Sequence, residues 1–146
     1  FAYGSNMSID RKTIRTGTIR QNVVVCLNDY RLAFNKRANK MKEVYANIVP
    51  SLGDVVWGVA YRCNPKAIER LDQVEGVSSG HYHRLQVDLA TGTGDTLHAE
   101  TYIAGADYVV EETPPSDDYL GHLLEGAESH RLPGDYIAMI KRIAGR

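Results

Sequence analysis

The hydrophobic pattern changes period several times along the chain, and each change marks an element. Phe1–Tyr3 reads as the end of a strand, broken by the turn formers Gly4-Ser5-Asn6. Met7–Ile14 predicts a short helix with Ser8 as its cap. Asn22–Leu27 and Tyr30–Phe34 are β-rich runs separated by Asn28-Asp29, the pattern of a hairpin. Val44–Val49 is a further apolar run, ended by Pro50, Ser51 and Gly53. Val55–Arg62 reads as a strand whose Gly58 marks a bulge or a close backbone approach.

Asn64-Pro65 is a helix start: Asn caps, and Pro takes the first helical position, where its missing N–H costs nothing. Ala67, Ile68, Leu71 and Val74 share one face of that helix, and Gly76 stops it. Two strands, His81–Leu89 and Thr96–Ala104, flank the turn-rich stretch Thr91–Asp95. After Thr113-Pro114-Pro115 the period becomes helical over Asp117–His130. A last amphipathic helix carries Tyr136, Ile137, Ile140 and Ile143. The expectation is one α+β domain over residues 1–146, strand-rich in front and helical at the end.

Composition narrows the class. Hydrophobic residues at 43% and charged residues at 24% exclude a disordered chain. No apolar run approaches the ~20 residues that span a bilayer, so no membrane partner is expected. The sequence begins at Phe1 rather than Met, and leading residues are expected to be missing from this numbering. Cys26 and Cys63 sit in apolar runs and read as buried free thiols suited to a reducing cytoplasm. Charge is uneven. Residues 1–42 hold nine Lys/Arg against Asp10 and Asp29, while the rest of the chain is acidic. The basic segment 11–42 reads as a solvated face, with an anionic ligand or nucleic acid as the alternative.

Three stretches carry candidate chemistry. Tyr3-Gly4-Ser5-Asn6 is a turn whose successive backbone N–H groups can hold an anion, although such turns commonly just connect elements. Glu75 falls at a helix C-terminus, where the dipole disfavours negative charge, and between Val74 and Val77. Both effects push a carboxyl pKa upward, towards the range useful for accepting and returning a proton. The residues alone leave a plain exposed Glu open as the other reading. Nine Tyr against two Phe and one Trp suit a pocket for a polar small molecule, with Tyr82, Tyr102 and Tyr119 near the ends of elements. His81 and His83 form an H-x-H pair without a third ligand at recognised spacing, so neither metal nor cofactor is expected.

Taken together, these stretches resemble the γ-glutamylcyclotransferase family nearly end to end. FAYGSNM is similar to its opening motif. NIVPSLGDVVWGVAYRCNPKAIERLDQVEGVSSGHYHRLQV is similar to its central block, and TPPSDDYLGHLLEGAESHRLPGDYI to its closing segment. The resemblance implies a small mixed-strand β-barrel with helices packed outside and a cavity at one end. It implies Glu75 as general acid/base, and Phe1, Ala2, Tyr3, Gly4, Ser5, Asn6, Tyr82 and Tyr119 as substrate-binding residues. The implied activity is cofactor-free lactam closure of a γ-glutamyl amino acid or amine to 5-oxoproline, in a monomer or homodimer. A γ-glutamylamine or a protected biosynthetic intermediate is the alternative substrate, and a non-catalytic binding module using residues 11–42 the alternative class. The family's opening strand starts before Phe1, so part of the binding strand is expected to lie outside this numbering. Asn6 after Tyr-Gly-Ser differs from the glutathione-specific relatives.

Overall fold

The computed structural model describes residues 1–17, 19, 21–39 and 42–146. Arg20 and Lys40 of the basic segment lie outside the described residues. Strands β1 (Asn22–Arg37), β2 (Val44–Tyr61), β3 (Tyr82–Ala90) and β4 (Thr96–Ala104) form one antiparallel sheet in the order β2-β1-β3-β4. Helices α1 (Ile9–Thr16), α2 (Pro65–Val74), α3 (Asp117–Ser129) and α4 (Gly134–Ile143) pack around it. Val25, Leu32 and Phe34 of β1, Ile48 and Val56 of β2, and Leu89 of β3 are buried together with Leu120 and Leu123 of α3 and Ile140 of α4. No helix among the described residues is long and apolar enough to cross a membrane.

Two expectations need correction. Asn28-Asp29 is not a hairpin turn: β1 runs straight through it. Pairing passes from Asn28↔Val55 to Tyr30↔Pro50, so Ser51–Asp54 of β2 loop out opposite Asp29. Asp29 takes a left-handed φ of 63°, and its carboxylate accepts the Gly53 N–H at 2.9 Å. The turn-forming chemistry of Asn28-Asp29 serves a bulge rather than a hairpin.

The barrel also does not close by strand pairing. Between β2 and β4 lie only residues 1–3. Ala2 exchanges both backbone hydrogen bonds with Val59 of β2 (2.8 and 2.9 Å). Across the seam, the Phe1 nitrogen donates to Glu100 O (2.6 Å) and Thr101 Oγ1 donates to Phe1 O (2.8 Å). A three-residue stretch supplies one bridge where closure needs a strand. A buried amide ladder completes the seam: Asn47 Nδ2 donates to Asn35 Oδ1 (3.0 Å), and Asn47 Oδ1 accepts the Ala104 N–H (2.9 Å).

Gly58 makes the close approach that its place in an apolar strand implied. A Cβ there would lie 2.2 Å from Ala2 O and 2.6 Å from the Phe1 ring. Any side chain would push the first residues out of the seam.

Candidate active site

The end of α2 fixes Glu75. Asn64 Oδ1 accepts the Ala67 N–H at 2.8 Å, with Pro65 next to it in the first turn, as the sequence indicated. Glu75 is the C-cap and donates its N–H to Leu71 O at 2.8 Å. Gly76 then turns the chain at φ 63°, where a Cβ would also come within 3.0 Å of His81.

The Glu75 side chain is only 15% exposed, and its Oε1 accepts a hydrogen bond from Asn6 Nδ2 at 2.9 Å. Arg15 Nη1 stands 3.8 Å from the same oxygen and also donates to Asn6 Oδ1. Burial lifts the Glu75 carboxyl above its ordinary value; Arg15, the Asn6 hydrogen bond, Lys36 and Arg11 each pull it partly back.

The turn opposite is braced from behind. The Met7 N–H donates to Gly4 O (3.0 Å) and the Ser8 N–H to Ser5 O (3.1 Å), closing a short 3-10 turn over Ser5–Met7. Gly126 of α3 packs on it so closely that a Cβ would lie 2.4 Å from the Met7 carbonyl carbon. Ser8 caps α1 and donates its hydroxyl to Glu125 (2.6 Å). Two tyrosines grip the backbone of one residue: Tyr119 OH accepts the Ala46 N–H (3.1 Å) and Tyr82 OH donates to Ala46 O (2.8 Å). Tyr3 OH donates to Tyr102 O (2.5 Å). Burial raises the pKa of all three phenols, so they stay neutral donors and acceptors.

These groups surround one cavity of about 580 Å³. Of the residues singled out in the sequence, Phe1, Tyr3, Gly4, Ser5, Asn6, Glu75, Tyr82 and Tyr119 all line it. Ala2 does not: its backbone is spent on Val59, and it borders a second cavity of about 550 Å³ on the far side of the seam. Sequence reasoning missed the cations. Arg11, Arg15 and Lys36 line the same wall space, with Tyr45 and His81 beside them. Part of the basic segment therefore faces inward rather than into solvent. Cys26 and Cys63 are free and half-buried rather than fully buried. No group of three His, Cys, Asp or Glu side chains suited to a metal ion occurs among the described residues.

A carboxyl held in a tyrosine-lined cavity against an N-terminal turn is the arrangement to compare with known proteins. The AIG2-like family model matches residues 55–140, which include Glu75, Tyr82 and Tyr119. Mouse γ-glutamylcyclotransferase is 35% identical over 147 aligned residues, spanning 98% of this chain and 77% of the mouse protein. The chain belongs to the γ-glutamylcyclotransferase family. The human γ-glutamylcyclotransferase is 34% identical, again over 98% of this chain and 77% of that protein. A solved γ-glutamyl cyclotransferase superposes with a TM-score of 0.88 at 32% identity, covering 97% of this chain and 84% of that one. Membership thus extends over the turn, Arg11, Arg15 and Lys36, which lie ahead of the residues the family model matches.

Proposed function

We propose that the chain is a γ-glutamylcyclotransferase in which Glu75 carries the protons of an intramolecular lactam closure. The substrate's α-amine nitrogen attacks its own γ-carbonyl carbon, and the new N–C bond closes a five-membered ring. The bond from that carbon to the departing nitrogen breaks. Glu75 takes the proton released by the attacking nitrogen and returns it to the departing one. The products are 5-oxoproline and the free amine or amino acid. Both reacting groups belong to one molecule, so the chemistry calls for no enzyme nucleophile, metal or organic cofactor.

The observation that carries this reading is the environment of Glu75: a nearly enclosed carboxyl, raised in pKa by burial, that lines one cavity with the Tyr3–Asn6 turn and is hydrogen-bonded to Asn6. A raised pKa makes the carboxylate a better base, and Arg15 and Asn6 keep it from being raised too far to ionise. Acid/base transfer of this kind contributes roughly 10²–10⁴ in rate. Holding the substrate curled contributes more, because an oriented attack avoids most of the entropic cost. The turn's backbone N–H groups, with Arg11 and Arg15 beside them, suit the γ-glutamyl α-carboxylate, and the neutral tyrosines suit the uncharged body of the substrate.

The inward-facing Arg11, Arg15 and Lys36 weigh against the polyanion-binding alternative, since their charge is directed at a small enclosed ligand. Arg31, also in that segment, is paired with Glu112 at 2.5 Å. Free thiols at Cys26 and Cys63 suit a reducing cytoplasm. The test is release of 5-oxoproline, with one equivalent of free amine, from a panel of γ-glutamyl dipeptides, γ-glutamyl amines and glutathione. We expect release from at least one class by the wild-type chain. Release from none overturns the proposal.

A further inference from the structure

The cavity is lined by cations from two elements, α1 and β1, and among the described residues only the first meets a carboxylate within ion-pair distance. From the first, Arg15 approaches Glu75 and Arg11 stands one turn earlier on α1. From the second, Lys36 reaches in. It is 3% exposed, and no described carboxylate lies within ion-pair distance of its ammonium. Among the described residues its one hydrogen-bond partner is His81, whose Nδ1 is 2.8 Å from Nζ. Three rings surround the charge, with centroids 5.1 Å (Tyr82), 5.1 Å (Tyr108) and 5.7 Å (Tyr45) from Nζ.

A buried ammonium with no described carboxylate in ion-pair contact is costly, and the fold has kept this one at the edge of the ligand space. His81 stacks on Tyr108 with ring centroids 3.9 Å apart. Burial, Lys36 and Arg37 lower its pKa, so its Nδ1 is an acceptor for Lys36. That takes one of the three N–H groups of Lys36. Ring faces attract the charge but accept no strong hydrogen bond. Burial lowers the Lys36 pKa to about 8, with Glu75 pulling it up and Arg37 pushing it down. At neutral pH the side chain remains a cation with two donors still to satisfy.

We propose that Lys36 receives the carboxylate of the departing amino acid and thereby sets which γ-glutamyl compounds the site accepts. This rests on the γ-glutamyl reading of the Glu75 cavity. A γ-glutamyl dipeptide carries a carboxylate at both ends, with the bond to be broken between them. The cavity offers cations from α1 and from β1, and the Glu75 carboxyl feels Arg15, Lys36 and Arg11 together. The γ-glutamyl carboxylate goes to the turn and its arginines, and the departing carboxylate goes to Lys36, which has two donors for its two oxygens. A γ-glutamyl amine has nothing to offer Lys36, and its binding would leave the ammonium buried and unpaired.

The probes are γ-glutamyl-alanine and γ-glutamyl-ethylamide, which differ only by that carboxylate. In the wild-type chain we expect kcat/KM to favour the dipeptide by at least about 30-fold, mostly through KM, the scale for losing one partner of a buried charge pair. In Lys36→Met the ratio should collapse to within about threefold of one. In Lys36→Arg, which keeps the charge, a dipeptide preference should remain. The wild-type ratio decides the matter even if the Met variant does not fold. A wild-type enzyme that turns over both substrates equally, or a Met variant that loses both equally, overturns the role of Lys36 alone. Turnover of neither substrate by the wild-type chain overturns the γ-glutamyl reading and this inference with it.

Discussion

Asp72 and Glu75 stand three residues apart at the same end of α2, against the same unfavourable helix dipole, yet the fold drives their carboxyls in opposite directions. Asp72 accepts from Arg84 Nε (2.8 Å), from Arg84 Nη2 (2.5 Å) and from Tyr102 OH (2.7 Å). The forked Arg84 hydrogen bond, then Tyr102, hold its pKa below the usual carboxylate range despite some burial. Among the described residues Glu75 has one direct hydrogen bond, from Asn6, and a more distant Arg15, so burial wins and its pKa rises. Position on a helix is therefore a weak guide to a carboxyl's chemistry. Partner geometry decides it: a bidentate guanidinium fixes a charge in place, whereas a single amide and a more distant cation leave a proton movable.

The largest test of that contrast is catalytic. Glu75→Gln keeps size and hydrogen-bonding shape but cannot titrate. We expect kcat to fall at least ~10²-fold with KM little changed, since transfer is lost rather than contact. Asp72→Asn should stay within about threefold of wild type, because its role is to hold Arg84 and Tyr102. Steady-state kinetics on both folded variants settles the point. An Asp72 variant as impaired as the Glu75 variant would show that the two carboxyls act as one unit.

The sequence distinguished these carboxyls only through a family resemblance, and the reason is physical. The Asn64-Pro65 start, the Gly76 stop and the Ser8 cap are local, so backbone chemistry exposes them to a reader. Arg84 and Tyr102 reach Asp72 from β3 and β4, which no local pattern reveals. The cationic wall was hidden differently. Arg11 and Arg15 share a helix face, but α1 violates the rule that apolar positions point inward: Ile9 is 49% and Ile14 84% exposed, while Lys12 is 6% exposed. Lys12 is held inside by a hydrogen bond to Ile19 O (3.2 Å) and by the Tyr61 ring. Lys36 is not legible in the pattern because β1 is buried on both faces from Leu32 to Lys36, where a register shift between Phe34 and Lys36 also falls, so the in–out alternation is lost. The same kind of irregularity at Asp29 produced the mistaken hairpin.

Arg15 offers a smaller test, aimed at the balance that sets Glu75. It is the strongest of the influences pulling the Glu75 pKa back down. Arg15→Met removes a cation that favours the ionised carboxylate, so the Glu75 pKa rises further. A base must be deprotonated to act. The acidic limb of the kcat/KM profile should therefore move to higher pH, with the loss of activity confined to that limb. A limb that stays in place while activity falls uniformly would mean that Arg15 only binds substrate. Asp72→Asn should leave the limb unmoved, since Asp72 is not among the groups that set Glu75.

The smallest effect is on stability, where the two carboxyls should give opposite signs. The folded-state pKa of Glu75 is raised, so between the unfolded value and the folded one the native chain binds more protons, and stability falls as pH rises through that window. At neutral pH the raised Glu75 pKa is thus a cost to folding, absent once the pH drops below the ordinary Glu range. The folded-state pKa of Asp72 is depressed, so its contribution is present above the ordinary Asp range and is lost as pH falls through the folded value. Glu75→Gln should accordingly melt higher than wild type at pH 7, and the gap should close towards pH 4. Asp72→Asn should melt lower at pH 7, by about 2–4 °C if its pair is worth about 1 kcal/mol, a ceiling appropriate to an Arg84 that is 37% exposed. That deficit should shrink at still lower pH. Thermal denaturation of both variants across pH 4–8 measures the two signs directly. A Glu75→Gln chain that melts lower at pH 7 would mean that Asn6 and Arg15 more than offset burial, leaving Glu75 a structural ion like Asp72 rather than a carrier of protons.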